Sequence, residues 1–264
     1  MKLESTRILL TGATGGLGRE LARQLSEAGA TLVLAGRDQA KLDQLAQRLR
    51  NPAATVPADL DTAAGITAVT SAAREHKVNV LINNAGVGCF GLLEQQAWTD
   101  IERVLATNLV APIALTHALL PWLKTQPEAA IVNIGSTFGS IPFAGFAAYS
   151  ATKAGLRGFS QALRRELADA PVAVIHLAPR AIDTPLNSAA VNALNRALKN
   201  HSDTAQAVAQ QVLAALRRGE RERHFGFPER IFAWINSAAP ALIDRALVGK
   251  LAVIKKHASR QSHS

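Results

Sequence analysis

An α/β fold is what this sequence predicts: a doubly wound parallel sheet with helices on both faces and a helical extension at the C-terminus. Three observations carry the prediction. Short β-rich runs alternate with segments of helical spacing along most of the chain. The runs are apolar throughout, as strands covered by helices above and below must be. A glycine-rich turn joins the first strand to the first helix, which is where such sheets meet phosphate-bearing ligands.

The elements follow in order. "RILLTG" is the first strand. "GLGRELARQLSEAGA" places Leu17, Leu21, Leu25 and Ala28 at helical spacing, and Gly29 ends it. "TLVLAG" is a strand, and "DQAKLDQLAQRLR" a helix with Asp38 as its N-cap. "TVPADL" is a strand end, followed by a helix from Thr62 to Glu75. "VNVLINNAG" is a strand that breaks at Gly86. A long helix runs from Trp98 to Leu123, and Asn108 and Pro112 inside it predict a kink. "AAIVNIGS" is a buried strand, Ala148 to Ala168 a helix, and "VAVIHLAP" the sixth strand. Neither an internal repeat nor an interdomain linker interrupts residues 1–222. We divide the chain into a domain over 1–225 and a basic amphipathic extension over 226–264.

Composition narrows the function classes. The single cysteine, Cys89, excludes an intramolecular disulfide and fits a reducing compartment. The opening apolar run is too short for a signal sequence, and apolar stretches of spanning length are missing, so the expectation is a cytoplasmic protein without a transmembrane helix. The net charge is +9, but ten Lys/Arg against four Asp/Glu place +6 of it between Arg217 and Ser264. The question of a charged partner therefore belongs to the tail. That tail has no aromatic ladder, and charge alone is not a recognition code, so nucleic acid is not an expected partner. Groups of His, Cys and Asp at metal-ligand spacing do not occur, and we expect no metal. His76, His117 and His176 read as structural or exposed.

The turn "TGATGGLG" spans Thr11 to Gly18. Gly12, Gly16 and Gly18 permit a tight turn and let backbone N–H groups approach a pyrophosphate at the helix N-terminus. Its position at the first strand–helix junction predicts a dinucleotide site of Rossmann-like type, with Gly12, Thr14, Gly15, Gly16, Leu17 and Gly18 as its candidate residues; the plainer alternative is a glycine-rich turn with no ligand. The second strand ends in "LAGRD", without an acid at its tip to hold ribose hydroxyls, and Arg37 follows at once. A guanidinium suits a 2′-phosphate, which favours NADP over NAD. The rival is Asp38 turning inward to the ribose.

Tyr149 is the only tyrosine, and Lys153 lies one helical turn beyond it. A phenol tuned by a nearby ammonium can exchange a proton with a carbonyl or carbinol oxygen. Ser136 stands thirteen residues before Tyr149, "NNAG" occupies Asn83 to Gly86, and Asn108 lies within "ATNLVAP". With these motifs in this order, the chain resembles the short-chain dehydrogenase/reductase family over roughly residues 5–200. The resemblance implies a role for each residue. Tyr149 is the general acid/base, and Ser136 hydrogen-bonds the substrate oxygen. Lys153 holds the nicotinamide ribose and lowers the Tyr149 pKa. Asn108 holds a water that relays protons from Lys153. Asn84, Ala85 and Gly86 line the cofactor ribose, while Asp59 and Leu60 contact the adenine. Each also has a plainer alternative: Ser136 as a cap, Asn108 as a satisfier of backbone groups, Asn83 and Asn84 as a turn pair.

After the sixth strand the family has Pro-Gly, and here the sequence is "APRAIDTPL". Pro179, Ile182 and Thr184 match a segment that the resemblance places at the nicotinamide carboxamide, but Arg180 replaces the glycine. Two outcomes stay open: a charge that favours an anionic substrate, or a side chain in solvent. "GVGCFGLLEQQ" and the stretch from Thr184 to Ser202 are expected to shape a pocket for a hydrophobic or acyl carbonyl/alcohol substrate. The resemblance implies a homodimer or homotetramer, paired through the long helices Trp98 to Leu123 and Ala148 to Leu167. In the tail, Ile231, Phe232, Trp234, Ile235, Leu242, Ile243, Leu247, Leu251, Val253 and Ile254 make an apolar stripe flanked by Arg230, Arg245, Lys250, Lys255 and Lys256. Peripheral membrane contact, a cover over the pocket, and an interface with a partner subunit are its alternatives.

Overall fold

The structure is a computed structural model and describes residues 1–258. Its first half alternates strand and helix: β1 (Arg7–Thr11), α1 (Gly16–Glu27), β2 (Thr31–Gly36), α2 (Gln39–Gln47), β3 (Ala53–Pro57), α3 (Ala63–Glu75), β4 (Val80–Asn83), α4 (Trp98–Leu105) and α5 (Ala111–Leu123). Then come β5 (Ala129–Ile134), α6 (Ala147–Glu166), β6 (Val172–Ala178), β7 (Ile182–Asp183), α7 (Ala189–Ala197), β8 (Asp203–Thr204), α8 (Ala205–Arg218) and β9 (Glu222–His224). Three helices close the described chain: α9 (Phe227–Ala238), α10 (Pro240–Val248) and α11 (Leu251–Ala258).

The sheet has seven strands in the order β3-β2-β1-β4-β5-β6-β9, all parallel. The order reverses between β1 and β4, and a crevice opens there beyond the strand ends. Apolar strands bury both faces. On one side Leu17, Leu21 and Leu25 of α1 pack with Val208, Val212 and Leu216 of α8. On the other, Val69 of α3, Leu115, Leu119 and Leu123 of α5 and Leu163 of α6 pack on Leu81 and Ile131. Each such side chain contributes about 1.5–3 kcal/mol when fully buried. The helical run Trp98–Leu123 has 26 residues and is long and apolar enough by composition to cross a membrane. Its buried leucines on the sheet account for that apolarity.

Several expectations are corrected. A seventh sheet strand, β9, follows the six read from sequence, pairing His176–Ala178 with Glu222–His224. The strand whose end was expected at "TVPADL" runs over Ala53–Pro57 and ends within that stretch. At the place where a kink was expected, the long helix carries one π-helical turn over Ala106–Val110 that includes Asn108. Pro112 sits within the first turn of α5, where a missing N–H costs little. Residues 226–258 of the extension fold onto the body. Ile254 and Ala258 of α11 form a third cluster with Phe90, Phe146 and Leu194. The remainder of that extension, 259–264, lies outside the described residues.

Candidate active site

The crevice contains a cavity of about 770 Å³ that runs from the glycine turn to the C-terminal helices. At one end lies the cradle expected for a dinucleotide. Gly12 has φ +63°, and a Cβ there would meet Ala85 Cα at 2.7 Å. A Cβ on Gly16 would meet Thr184 Cβ at 2.7 Å, and one on Gly18 would collide with the Gly12 carbonyl oxygen. These positions need glycine because of close approach. Asn84 closes the cradle, donating from Nδ2 to the carbonyls of Thr11 (2.9 Å) and Gly12 (3.2 Å). Asn84 and Ala85 also donate their backbone N–H groups to Thr11 Oγ1. Thr14, Gly15, Leu17, Arg37, Asp59, Leu60, Gly86, Pro179, Ile182 and Thr184 line the same cavity. A turn of bare backbone N–H groups at a helix start, with the basic Arg19, Arg37 and Lys41 around it, fits an anionic dinucleotide.

Asp38 does not turn inward. Its carboxylate caps α2 through the Lys41 N–H (3.0 Å) and pairs with Lys41 Nζ (2.9 Å). Arg37 is left beside the adenosine end of the cavity.

The residues expected to do chemistry gather at the middle of the cavity. Ser136, Tyr149 and Lys153 all line it, Ser136 just beyond the tip of β5 and the other two on α6. The Tyr149 ring packs edge-on against Phe138 (6.2 Å between centroids) and Phe146 (6.3 Å). Burial pushes its hydroxyl pKa up, and hydrogen bonding with the Ser136 hydroxyl pulls weakly the other way. This reverses the expected lowering by Lys153. The ammonium is 5.7 Å from the ring centroid and donates to the Ile134 carbonyl at 3.0 Å. Burial also holds Lys153 itself down, to about 8.

Asn108 is fully buried. Its Oδ1 accepts from the Val87 N–H (2.8 Å) and its Nδ2 donates to the Val87 carbonyl (2.9 Å). The side chain thus clamps the loop after β4 to the π turn. In the structure it serves backbone groups, the plainer of the two readings. Asn83 donates to Asn133 Oδ1 (2.8 Å) and links two strands instead of forming a turn pair. His176 is completely buried against Gly135, with burial pushing its pKa down to about 3, so it is a neutral core residue.

Arg180 resolves into neither expected outcome. It forks onto Asp203 through Nε (2.9 Å) and Nη2 (2.6 Å), and Nη1 lies 3.6 Å from Glu229 of α9. The arginine therefore ties the loop after β6 to β8 and to the C-terminal extension.

Aromatic and aliphatic side chains make up much of the cavity wall around Tyr149. Phe90 and Leu186 come from the two segments expected to shape it. Phe138, Phe143 and Phe146 were not singled out from sequence, although "STFGSIPFAGF" offered the signal of three aromatics just before Tyr149. Phe232, Ile243, Leu247 and Lys250 of the extension form the far wall.

Comparison with known proteins agrees with this geometry. A family model described as "short chain dehydrogenase" matches residues 6–195. The chain is 34% identical over 261 residues to the Dehydrogenase/reductase SDR family member 7B of Bos taurus, covering 92% of this chain and 80% of the relative. Among solved structures, a short-chain dehydrogenase from Sphingobium yanoikuyae in complex with NADPH superimposes with a TM-score of 0.78 at 31% identity, covering 90% of this chain and 96% of that one. A 3-ketoacyl-(acyl-carrier-protein) reductase from Brucella melitensis complexed with NADH gives 0.77 at 28% identity, covering 85% and 98%.

Proposed function

The chain belongs to the short-chain dehydrogenase/reductase family, and from that premise we propose that it is an NADP(H)-dependent carbonyl reductase or alcohol dehydrogenase for apolar substrates. The observation that carries the proposal is the meeting of Ser136, Tyr149 and Lys153 in one cavity with the glycine cradle. A nicotinamide held in that cavity supplies or accepts the hydride at the carbonyl or carbinol carbon. Tyr149 handles the proton. Its raised pKa keeps the phenol protonated at neutral pH, which suits donation to a carbonyl oxygen during reduction. Ser136 shares that oxygen by hydrogen bonding. Lys153 stands ready to hold ribose hydroxyls, and Asn108 keeps the Gly86–Val87 loop in place beside it.

Two features support the finer assignments. Arg37 at the adenosine end, with Asp38 engaged in capping, favours the 2′-phosphate of NADP; solved relatives hold NADPH in one case and NADH in another. The wall of phenylalanines favours a hydrophobic or acyl carbonyl compound. A cytoplasmic setting, and assembly as a homodimer or homotetramer, belong to the same proposal. Trp98 and Val110 leave large apolar surfaces along the α4–α5 run, and scattering that gives only 27.9 kDa would refute the assembly.

The test is a panel of aliphatic and aromatic ketones, aldehydes and ketoacyl thioesters with NADPH and with NADH. We expect NADPH oxidation with at least one bulky apolar carbonyl. Tight NADPH binding without turnover across the panel would instead indicate a regulatory nucleotide-binding protein.

A further inference from the structure

Helix α9 is amphipathic in the opposite sense to a helix that merely packs on its own domain. At about 100° per residue, Glu229, Ala233 and Asn236 share one face of α9. That face is the inner one: Glu229 meets Arg180, Ala233 is buried, and Asn236 donates to the Ser140 carbonyl at 2.8 Å. Phe227, Ile231 and Trp234 share the opposite face and are turned outward, Phe227 68% and Trp234 71% exposed. The next helix is apolar on both sides. Ile243, Ala246, Leu247 and Lys250 line the cavity, while Leu242 and Val248 point away from it, more than half exposed.

Six of the eleven exposed large hydrophobic side chains among the described residues fall in Phe227–Val248, five of them away from the cavity that Phe232 lines. Such clustering marks a surface that something covers. The charges say what. Arg230 stacks over Phe227, and Arg245 and Lys255 are exposed on the same extension. Of its two acids, Glu229 is already paired with Arg180, and Asp244 is exposed beside Arg245, which leaves the basic residues in excess. A second copy of this face would bring like charges together. An anionic lipid surface complements them and receives the aromatics at its interface. The two helices together are long and apolar enough to span a bilayer, but they are bent by 118°. With their inner faces packed on the cavity, they fit lying along a surface and do not fit crossing it.

We propose that the outer face of α9 and α10 is a docking surface for anionic phospholipid, which places the cavity wall formed by the same helices against the membrane. The proposal is independent of the reaction assigned above. The experiment is flotation of the full chain with vesicles of phosphatidylcholine alone and of phosphatidylcholine with phosphatidylserine. We expect attachment to the anionic vesicles that fades as salt rises. Each basic residue beside an anionic surface changes partitioning about fivefold, so Arg230→Gln with Arg245→Gln should weaken attachment by roughly 25-fold. Phe227→Ser with Trp234→Ser should weaken it by at least about tenfold. Both double variants should keep the wild-type melting temperature and NADPH affinity, because these side chains support no inner contact. A wild-type chain that stays unattached to either vesicle at low salt overturns the proposal. So do double variants that bind like wild type, or an oligomer that the Phe227/Trp234 variant dissolves without any vesicle attachment.

Discussion

Replacing Arg180 with glycine, the residue the family has at this position, should destabilise this chain. In the structure the guanidinium forks onto Asp203 at 2.9 and 2.6 Å and reaches Glu229 at 3.6 Å. The side chains of Asp203 and Glu229 are only 15% and 24% exposed. Removing the cation leaves two poorly solvated carboxylates facing each other. Breaking a buried pair by deleting one partner costs about 3–5 kcal/mol, and partial exposure here reduces that to about 2–3 kcal/mol. For a chain of this size that is a fall in Tm of roughly 4–12 °C. Because the ion pair also fastens α9 over the cavity, KM for the carbonyl substrate should rise while NADPH affinity changes little. Calorimetry on the single variant, and on Arg180→Gly combined with Asp203→Asn and Glu229→Gln, checks the reasoning. The neutralised triple variant should recover part of the loss. An unchanged Tm in Arg180→Gly would refute the clasp.

Two other outcomes follow from the site. Arg37→Ala should weaken NADPH by about 1.5–3 kcal/mol and leave NADH nearly unaffected, since only the former loses a charge-assisted phosphate contact; equal weakening by equilibrium titration would remove Arg37 as the discriminator. Lys153 has a folded pKa of about 8, below the ordinary lysine value of 10.5, so between those values the unfolded chain binds more protons than the folded one. Stability of the cofactor-free protein should therefore rise as pH goes from about 8 to about 10.5, and this rise should disappear in Lys153→Met when urea midpoints are compared.

What the sequence reveals depends on how local the signal is. The first six strands are legible because each is a continuous apolar run, and the cradle because its glycines sit at one strand–helix junction. The strand β9 is not, since "ERH" is a polar edge strand held by pairing with His176–Ala178 and by Arg157 and Gln161 of α6, which donate to Glu222. The partner of Arg180 is likewise hidden, because Asp203 lies 23 residues away in a two-residue strand. The tail stripe is visible as one stripe, yet the fold divides it. Ile243, Leu247 and Ile254 turn inward while Ile231, Trp234 and Leu242 turn outward, and only the position of the body decides which. The Tyr149 pKa has the opposite sign from expectation for a similar reason. Spacing shows that Lys153 is near, but not that the phenylalanines just before Tyr149 close over its ring, and it is burial that pushes the hydroxyl up.

The central claim, that Tyr149 transfers the proton in a nicotinamide-dependent carbonyl reduction, is tested most directly by Tyr149→Phe. The substitution keeps the ring contacts with Phe138 and Phe146 and removes only the hydroxyl. With a carbonyl substrate that the wild type turns over with NADPH, kcat should fall by at least about 10²-fold, while NADPH affinity stays within about twofold of wild type. A variant that binds NADPH normally and retains more than about a tenth of the wild-type kcat would contradict the assignment.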